Sequence, residues 1–512
     1  MKKTQGDADA KKFYITTAIA YVNAAPHIGH ALEFIQADAL ARFHRLNGDE
    51  TWFVTGTDEH GTKIYEAAQK QGLGTQDFVD GNAKKFMDLK DILDLSYDDF
   101  IRTSSDRHKE GAQKIWTKMF DAGDIYKGSY KGLYCVGCEA FIPEKDLDTE
   151  GNCPIHKKKP QVLEEENYFF KLSKYSDKIK SLIASGELVV FPESRKNEML
   201  NIIGEEGLRD VSFSRPKAVL PWGVDVPGDP EQVMYVWCDA LSNYANAVDY
   251  AHEGELFKKF WPCDVHLIGK DILRFHAGIW IGMLMSADVE IPKAVYVHGF
   301  VTSEGQKMSK SIGNVVDPYE YLEKYGVDAL RYYLLREIPT ADDGDFSHSR
   351  FMDVYNSELA NSLGNLVNRV TMMVERYLEG KVPEKTDGSE VKDVVAKVFA
   401  KYQKSFDSFD IKSAAEAVVE LTNFANKYID ETKPWALAKV DMKRLAEVLY
   451  NLLEVLRYIA VLLLPILPKT AGIMAGQLGL AVADLRFSTD FGVLETGSKI
   501  TVEGVLFPRI EA

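Results

Sequence analysis

Short apolar runs and longer amphipathic segments alternate near the start of the chain. Residues 13–18 are rich in β-branched and aromatic side chains, which predicts a buried strand. Apolar residues then recur at helical spacing over residues 28–43, and Asn47-Gly48 provides a helix stop. Residues 51–55 predict a second strand. The pattern therefore predicts a β-α-β unit, as in an α/β domain with a parallel sheet.

The last third of the chain follows a different pattern. From Phe351 onward, amphipathic segments succeed one another with short breaks, which predicts an antiparallel helix bundle. The predicted helical segments are 351–378, 391–409, 411–428, 442–464 and 469–480. The longest uncharged apolar run lies between Arg457 and Lys469 and contains two prolines. It is shorter than the about 20 residues that a membrane-spanning helix needs.

Composition and charge narrow the class of protein. A chain of 512 residues with 46% hydrophobic residues can hold roughly three domains of about 150 residues. The first twelve residues are polar and predict neither a signal peptide nor an anchor. Five cysteines are too few for a disulfide framework, so we expect a reducing cytoplasm. The net charge of −16 argues against general RNA affinity, although a local basic patch can still bind RNA.

Two histidines stand where the first predicted strand meets its helix. His27 and His30 lie at the helix N-terminus, where unsatisfied N–H groups and a partial positive charge suit a phosphate. Spaced three residues apart, both imidazoles can reach one ligand, and Gly29 leaves room for it against the backbone. Alone, this motif is more typical of two ordinary histidines at a helix start. Likewise, Lys307-Met308-Ser309-Lys310-Ser311 alone is typical of a solvated turn.

A second group of residues has the spacing of a metal site. Cys135 and Cys138 are separated by fourteen residues from Cys153 and His156, each pair having two residues between its members. Two such knuckles at this separation match a tetrahedral zinc site, and four protein ligands indicate a structural metal. The alternative is a set of unpaired surface thiols.

Taken together, the histidine motif and the Lys307–Ser311 loop resemble the signature pair of class I aminoacyl-tRNA synthetases. The zinc knuckles and the helical last third narrow the resemblance to the methionyl-tRNA synthetases, and it covers essentially the whole chain. It implies a Rossmann-like parallel-sheet catalytic domain, split by a zinc-knuckle connective insertion and followed by an all-α anticodon-binding bundle. The implied domains are 1–117 and 231–324 for the two catalytic halves, 118–230 for the insertion, 325–350 for a connecting segment and 351–512 for the bundle.

The resemblance also implies a reaction and its residues. Methionine attacks the α-phosphate of MgATP, and the methionyl group then passes to tRNA. The implied catalytic residues are His27, His30, Lys307 and Lys310, and Gly29, Asp271 and Gly299 join them in binding ATP. The implied methionine site consists of Ile19, Tyr21, Asp58, Trp237, Ala240, Leu241, Tyr244, Ile272, Phe275 and His276. The implied anticodon readers are Asn365, Arg369 and Trp435.

Several of these residues have ordinary alternatives. By periodicity alone, the stripe of Trp237, Ala240, Leu241 and Tyr244 predicts core packing, although an aromatic slot also suits a thioether. His276 alone is more typical of a core histidine, and Trp435 fits core packing equally well. The alternative for Asp58 is a polar turn in which it caps a helix.

Four other functions fit the sequence less well. The cysteine enzyme of the same class uses an active-site zinc, whereas the zinc predicted here is fully ligated. The leucine enzyme carries a large editing insertion that 512 residues do not accommodate. A plain adenylyltransferase lacks the long helical tail, and a zinc-dependent RNA-binding protein leaves the paired motifs unexplained. We expect one structural Zn²⁺, Mg²⁺ with ATP, tRNA(Met) as partner, no membrane, and a cytoplasmic monomer, since no further dimerisation domain follows.

Overall fold

Strands and helices alternate up to Phe346, and helices dominate the rest of the described chain. The computed structural model describes residues 11–135, 140–142, 144–155, 157–308, 314 and 316–511. The strands are β1 (Lys12–Thr17), β2 (Ala20–Tyr21), β3 (Glu50–Asp58), β4 (Asp99–Arg102), β5 (Ile125–Cys135), β6 (Ala140–Ile142), β7 (Gln161–Phe170), β8 (Val189–Phe191), β9 (Val211–Ser212), β10 (Ser214–Pro216), β11 (Asp225–Val226), β12 (Asp229–Met234), β13 (Val265–Gly269), β14 (Ala294–His298), β15 (Val301–Ser303), β16 (Gln306–Lys307) and β17 (Gly344–Phe346). The α-helices are α1 (Ile28–Leu46), α2 (Thr62–Lys70), α3 (Thr75–Ile92), α4 (Asp106–Asp121), α5 (Ser176–Ser185), α6 (Glu193–Ile203), α7 (Val236–Leu241), α8 (Asn243–Asn246), α9 (Glu255–Phe260), α10 (Ile281–Ser286), α11 (Pro318–Tyr325), α12 (Val327–Arg336), α13 (His348–Val354), α14 (Asn365–Leu378), α15 (Lys392–Asp407), α16 (Ile411–Thr432), α17 (Pro434–Val440), α18 (Met442–Leu463) and α19 (Pro468–Gln477). Two further stretches, Phe275–Trp280 and Tyr355–Gly364, are π-helical.

The main sheet is parallel, as the β-α-β pattern predicts. Its strand order is β2-β3-β1-β13-β14-β8, with β4 beside β3. β1 pairs with β3 on one side and with β13 on the other. The chain therefore leaves β1 toward one edge of the sheet and later returns to its other side. Such a reversal opens a crevice at the carboxyl ends of the strands, where α/β sheets bind ligands.

One strand of this sheet comes from within residues 118–230, the predicted insertion. β8 pairs in parallel with β14 at the sheet edge. The other strands of this stretch belong to an antiparallel sheet of order β6-β5-β7-β9 and to a smaller one of order β10-β12-β11, whose strand β12 continues to Met234. The three-residue β8 is too short to stand out as a strand in the sequence.

The predicted helices of the last third are confirmed, and their ends agree with the structure within a few residues. The first predicted helix, 351–378, is covered by α13, the π-helical stretch Tyr355–Gly364 and α14. α16 ends at Thr432, where Lys433 takes a left-handed backbone conformation with φ of 47°. Pro434 then occupies the first turn of α17. Proline suits that position because it lacks the N–H that a helix start leaves unsatisfied. A continuous cluster of buried side chains runs from β1 and α1 into this bundle.

The sequence differs from the structure in one local detail. The apolar run over residues 297–301 predicts one short strand, but β14 ends at His298 and β15 begins at Val301. Trp237, Ala240, Leu241 and Tyr244 lie on α7 and α8, two short helices joined at Ser242, and all four side chains line one cavity. In the described chain, no helix is both long and apolar enough to cross a bilayer.

Candidate active site

A cavity of about 950 Å³ lies at the carboxyl ends of the main-sheet strands. It is lined by residues that follow β1, β13 and β14 and by the last residue of β3. The cavity brings together most of the residues predicted to bind ATP or methionine. These are Ile19, Tyr21, His27, Gly29, His30, Asp58, Trp237, Ala240, Leu241, Tyr244, Asp271, Ile272, Phe275, His276 and Gly299.

His27 and His30 form a reciprocal cap at the start of α1. Nδ1 of His27 accepts the Gly29 N–H at 3.1 Å, and Nδ1 of His30 accepts the His27 N–H at 3.2 Å. The two rings lie 3.9 Å apart. Because both Nδ1 atoms accept, each neutral ring carries its proton on Nε2. The cap thus sets the tautomer of both imidazoles.

The charge state of His30 follows from its surroundings. Burial, with the nearby His27 and His298, lowers the pKa of His30 well below its usual value. The ring is therefore neutral at pH 7, and its Nε2–H is a hydrogen-bond donor.

An aromatic wall closes another side of the cavity. Trp237 stacks on Phe275 with ring centroids 3.9 Å apart. The Tyr244 hydroxyl lies 2.6 Å from Nε2 of His276, whose Nδ1 lies 3.0 Å from the Ile272 carbonyl. A carbonyl can only accept, so His276 donates from Nδ1 and accepts the Tyr244 proton at Nε2. Burial lowers the pKa of His276 to about 4, so the ring stays neutral.

Asp58 lies at the end of β3 and is buried. It does not cap α2, because the N-cap residue there is Gly61. The next residue, Glu59, is fully buried and pairs with Arg102 through two hydrogen bonds of 2.7 and 2.9 Å. The Trp222 indole also donates to the Glu59 carbonyl at 2.6 Å. This bracing fixes the backbone beside Asp58.

Among the polar residues of the cavity that the sequence did not predict are Glu33 and His298. Oε2 of Glu33 lies 2.9 Å from Nε2 of His298. Burial opposes a charge on His298, but the hydrogen bond and charge of Glu33 outweigh it and raise the His298 pKa. Glu33 follows His30 by three residues, so helical spacing could have found it. No local sequence pattern indicates His298, because its partner Glu33 is 265 residues away in the sequence.

The two glycines of the predicted ATP site have structural reasons of their own. A Cβ at Gly299 would lie 2.2 Å from the Asp342 backbone. The fold itself therefore requires a glycine at position 299. A Cβ at Gly29 would lie 3.0 Å from the capping ring of His27.

The lysine loop and the zinc knuckles are only partly described. Lys307 ends β16, and Met308 after it lines the cavity, whereas Lys310 lies outside the described residues. Cys138 and His156 also lie outside them, while Cys135 and Cys153 are both buried. After Cys153 the chain folds back, since the backbone N–H of Cys153 donates to the Lys158 carbonyl at 2.9 Å. Among the described residues, no three His, Cys, Asp or Glu side chains are placed so that they could hold a metal ion.

The three residues predicted to read the anticodon are on neighbouring helices of the bundle. Asn365 and Arg369 are one turn apart on α14, and Trp435 is in the first turn of α17, which α14 contacts. Trp435 is 45% exposed, so core packing does not account for it. Arg369 is ion-paired with Asp430 at 2.8 Å. None of the three lines the cavity.

The fold and the cavity are those of a class I aminoacyl-tRNA synthetase. The sequence model described as "tRNA synthetases class I (M)" matches residues 13–159 and 149–371, and that of the "Anticodon binding domain of methionyl tRNA ligase" matches residues 379–512. The chain belongs to the methionyl-tRNA synthetase family.

Individual relatives agree with this assignment. The methionine–tRNA ligase of Caldanaerobacter subterraneus subsp. tengcongensis is 46% identical over 510 residues, covering 98% of this chain and 79% of the relative. The methionine–tRNA ligase of Clostridium perfringens is 46% identical over 508 residues, covering 98% of this chain and 78% of the relative. The Mycobacterium tuberculosis methionyl-tRNA synthetase, solved in complex with methionyl-adenylate, superposes with a TM-score of 0.93 at 40% identity, covering 98% of this chain and 100% of that one.

The chain is therefore a methionine–tRNA ligase. It activates L-methionine with ATP to methionyl-adenylate and pyrophosphate, and then transfers methionine to the 3′ end of tRNA(Met). Methionyl-tRNA synthetases use Mg²⁺ with the ATP.

Proposed function

We propose that the cavity holds methionine against the Trp237 wall and ATP against the start of α1, with the residues in the roles predicted above. One observation supports this proposal: residues that are far apart in the sequence, from Ile19 to Gly299, line the same cavity. The methionyl-adenylate bound by the M. tuberculosis enzyme is the ligand we assign to this cavity.

The Trp237 wall has the chemistry to select a thioether. The Tyr244 proton is donated to His276, and the His276 proton to the Ile272 carbonyl. Because both donors are used within the wall, a polar side chain of similar size finds neither of them available. The methionine side chain needs no hydrogen bond from the wall, and its sulfur gains contacts with the rings of Trp237 and Phe275. Asp58, buried at the end of β3, binds the α-ammonium group.

The start of α1 has the chemistry to stabilise a phosphate in the transition state. A carboxylate nucleophile needs no general base, so positioning and charge stabilisation supply the rate enhancement. His27 and His30 donate from Nε2 to the phosphate oxygens. Lys307 and Lys310 close over the pyrophosphate. Asp271 and Gly299 bind the adenosine part of ATP.

Cys135, Cys138, Cys153 and His156 hold one structural zinc ion in a connective insertion. Burial of Cys135 and Cys153 and the turn after Cys153 support this role, since zinc knuckles combine thiolates with tight turns. Asn365, Arg369 and Trp435 read the anticodon. The domain boundaries 1–117, 118–230, 231–324, 325–350 and 351–512, a cytoplasmic location and a monomeric state stay predictions.

A matched pair of tryptophan variants tests the cavity assignment. Trp237 lines the cavity, whereas Trp261 is also half-buried but lies outside its lining. Trp237→Ala should raise the KM for methionine in pyrophosphate exchange about ten- to a hundredfold, the range for lost apolar contacts in a specificity pocket. The KM for ATP should change little. Trp261→Ala should leave both values unchanged, and an unchanged methionine KM in Trp237→Ala would refute the assignment.

A further inference from the structure

Behind the aromatic wall, one buried carboxylate is shared by two histidines. Oδ2 of Asp239 lies 2.6 Å from Nδ1 of His60, and Oδ1 lies 2.6 Å from Nε2 of His108. The exposed fractions of the three side chains are 0%, 2% and 0%. None of them is among the described residues that line the cavity.

The three side chains come from three separate segments. His60 follows β3 and is two residues from Asp58. His108 lies in the first turn of α4. Asp239 lies on α7, between Trp237 and Ala240, which both line the cavity. One carboxylate therefore connects the loop of the proposed ammonium site to the proposed side-chain wall.

Further contacts hold the two imidazoles in place. Nδ2 of Asn246 lies 3.3 Å from Nδ1 of His108 and donates to the His108 carbonyl at 3.2 Å. His108 thus accepts at Nδ1 and donates from Nε2 to Asp239. Asn246 packs so closely on α4 that a Cβ at Gly111 would lie 1.9 Å from its Oδ1. The second imidazole, His60, is close to the proposed ammonium site: its backbone N–H lies 3.4 Å from Oδ1 of Asp58.

The carboxylate is ionised. Burial alone would raise the pKa of Asp239, but His60 and His108 outweigh burial and lower it to about 2. A charged acceptor makes stronger hydrogen bonds than a neutral one, so both imidazoles are firmly oriented.

We propose that Asp239 is a positioning residue for methionine: through His60 it holds the Asp58 loop at a set distance from the Trp237 wall, and through His108 it anchors that wall to α4. This inference rests on the roles proposed above for Asp58 and Trp237. An amino acid must meet both groups at once, its ammonium on Asp58 and its side chain on Trp237. Loosening the connection between them should therefore weaken methionine binding and leave ATP binding largely intact.

Asp239→Asn tests the proposal, because an amide can accept from one imidazole only and must donate to the other. The KM for methionine should rise about tenfold or more, as expected when a binding group is misplaced. The KM for ATP should change by less than about twofold, because distant sites with no shared partners behave nearly independently. The matched control is Asp124→Asn. Asp124 is another buried carboxylate, bonded to Lys174 and Ser286 and outside the cavity lining, and both KM values should be unchanged.

Variants at His60 keep the test valid if Asp239→Asn folds poorly. In His60→Asn the side-chain amide can still donate to Asp239, whereas His60→Ala loses the donor. We expect near-normal methionine KM in the first and a raised KM in the second. The fraction of active enzyme, from the burst of adenylate formation, is measured for each protein.

The outcomes separate this inference from the function it rests on. If Asp58→Asn leaves the methionine KM unchanged, the role of Asp58 is wrong. If Asp58→Asn raises the KM but Asp239→Asn and His60→Ala do not, the positioning role is wrong. A lower active fraction with unchanged KM values would also overturn it, since that is the result of a purely structural role.

Discussion

Arg331 and Asp38 form a fully buried ion pair, with 2.7 Å between Nη2 and Oδ2. The same guanidinium donates to the carbonyls of Ile466 at 2.9 Å and Leu93 at 3.1 Å. One side chain on α12 thus joins α1, which carries His27 and His30 at its start, to the turn that precedes α19 in the bundle. Burial opposes ionisation of Asp38, but Arg331 and Arg42 outweigh it and lower the pKa of Asp38.

Arg331→Met should destabilise the protein by about 3–5 kcal/mol, because it removes one of the two guanidinium partners of the buried Asp38 carboxylate and the donor to two buried carbonyls. The free energy of unfolding is measured by urea titration. Arg444→Met is the control, since Arg444 pairs with Glu390 at the surface over 2.7 Å and should cost about 0–1 kcal/mol. If both variants lost the same free energy of unfolding, the buried pair would contribute no more to stability than a surface pair.

His27→Asn should separate capping from catalysis. Asparagine is a good N-cap, so α1 should stay as stable as in the wild type, but the Nε2 donor is lost. The rate of adenylate formation should fall about 10²–10³-fold, as for loss of one transition-state donor. The dissociation constant of ATP, measured by equilibrium dialysis, should change little.

His27→Ala should show the same catalytic loss and an additional loss of stability of about 1 kcal/mol, because the cap is removed as well. If ATP binding weakened in either variant by the same factor as the rate, His27 would stabilise bound ATP rather than the transition state.

Purified protein should contain about one zinc ion per chain, held by four ligands. Cys138→Ser should lose the metal, as measured by elemental analysis. Cys263→Ser should keep it, because Cys263 is buried beside the Tyr14 carbonyl and belongs to no knuckle. Full metal content in Cys138→Ser would show that the ligand set is wrong.

Trp435→Ala should weaken tRNA charging by about one to two orders of magnitude, because base–aromatic stacking contributes about 1–3 kcal/mol. Activation of methionine without tRNA should be unchanged, since Trp435 lies outside the cavity lining. Trp116→Ala serves as the comparison for a core tryptophan, being 1% exposed, and should impair both reactions through misfolding. If Trp435→Ala lowered methionine activation and tRNA charging by the same factor, Trp435 would be a structural residue.

The sequence by itself determined the elements and the short motifs. β1, α1 and β3 and the helices of the bundle follow from local periodicity, and their ends follow from local turn residues such as Pro434. The motif of His27 and His30 and the spacing of the cysteines are equally local. These features were predictable because their physical causes lie within a few residues of each other.

Tertiary structure alone decided which distant side chains meet. His60 and Asp239 are 179 residues apart, Glu33 and His298 are 265 apart, and Arg331 and Asp38 are 293 apart. The need for glycine at 299 likewise comes from a remote segment, the backbone of Asp342. In a parallel sheet, neighbouring strands are joined by long crossovers, so contacts at the carboxyl edge depend on strand order, which no local pattern encodes.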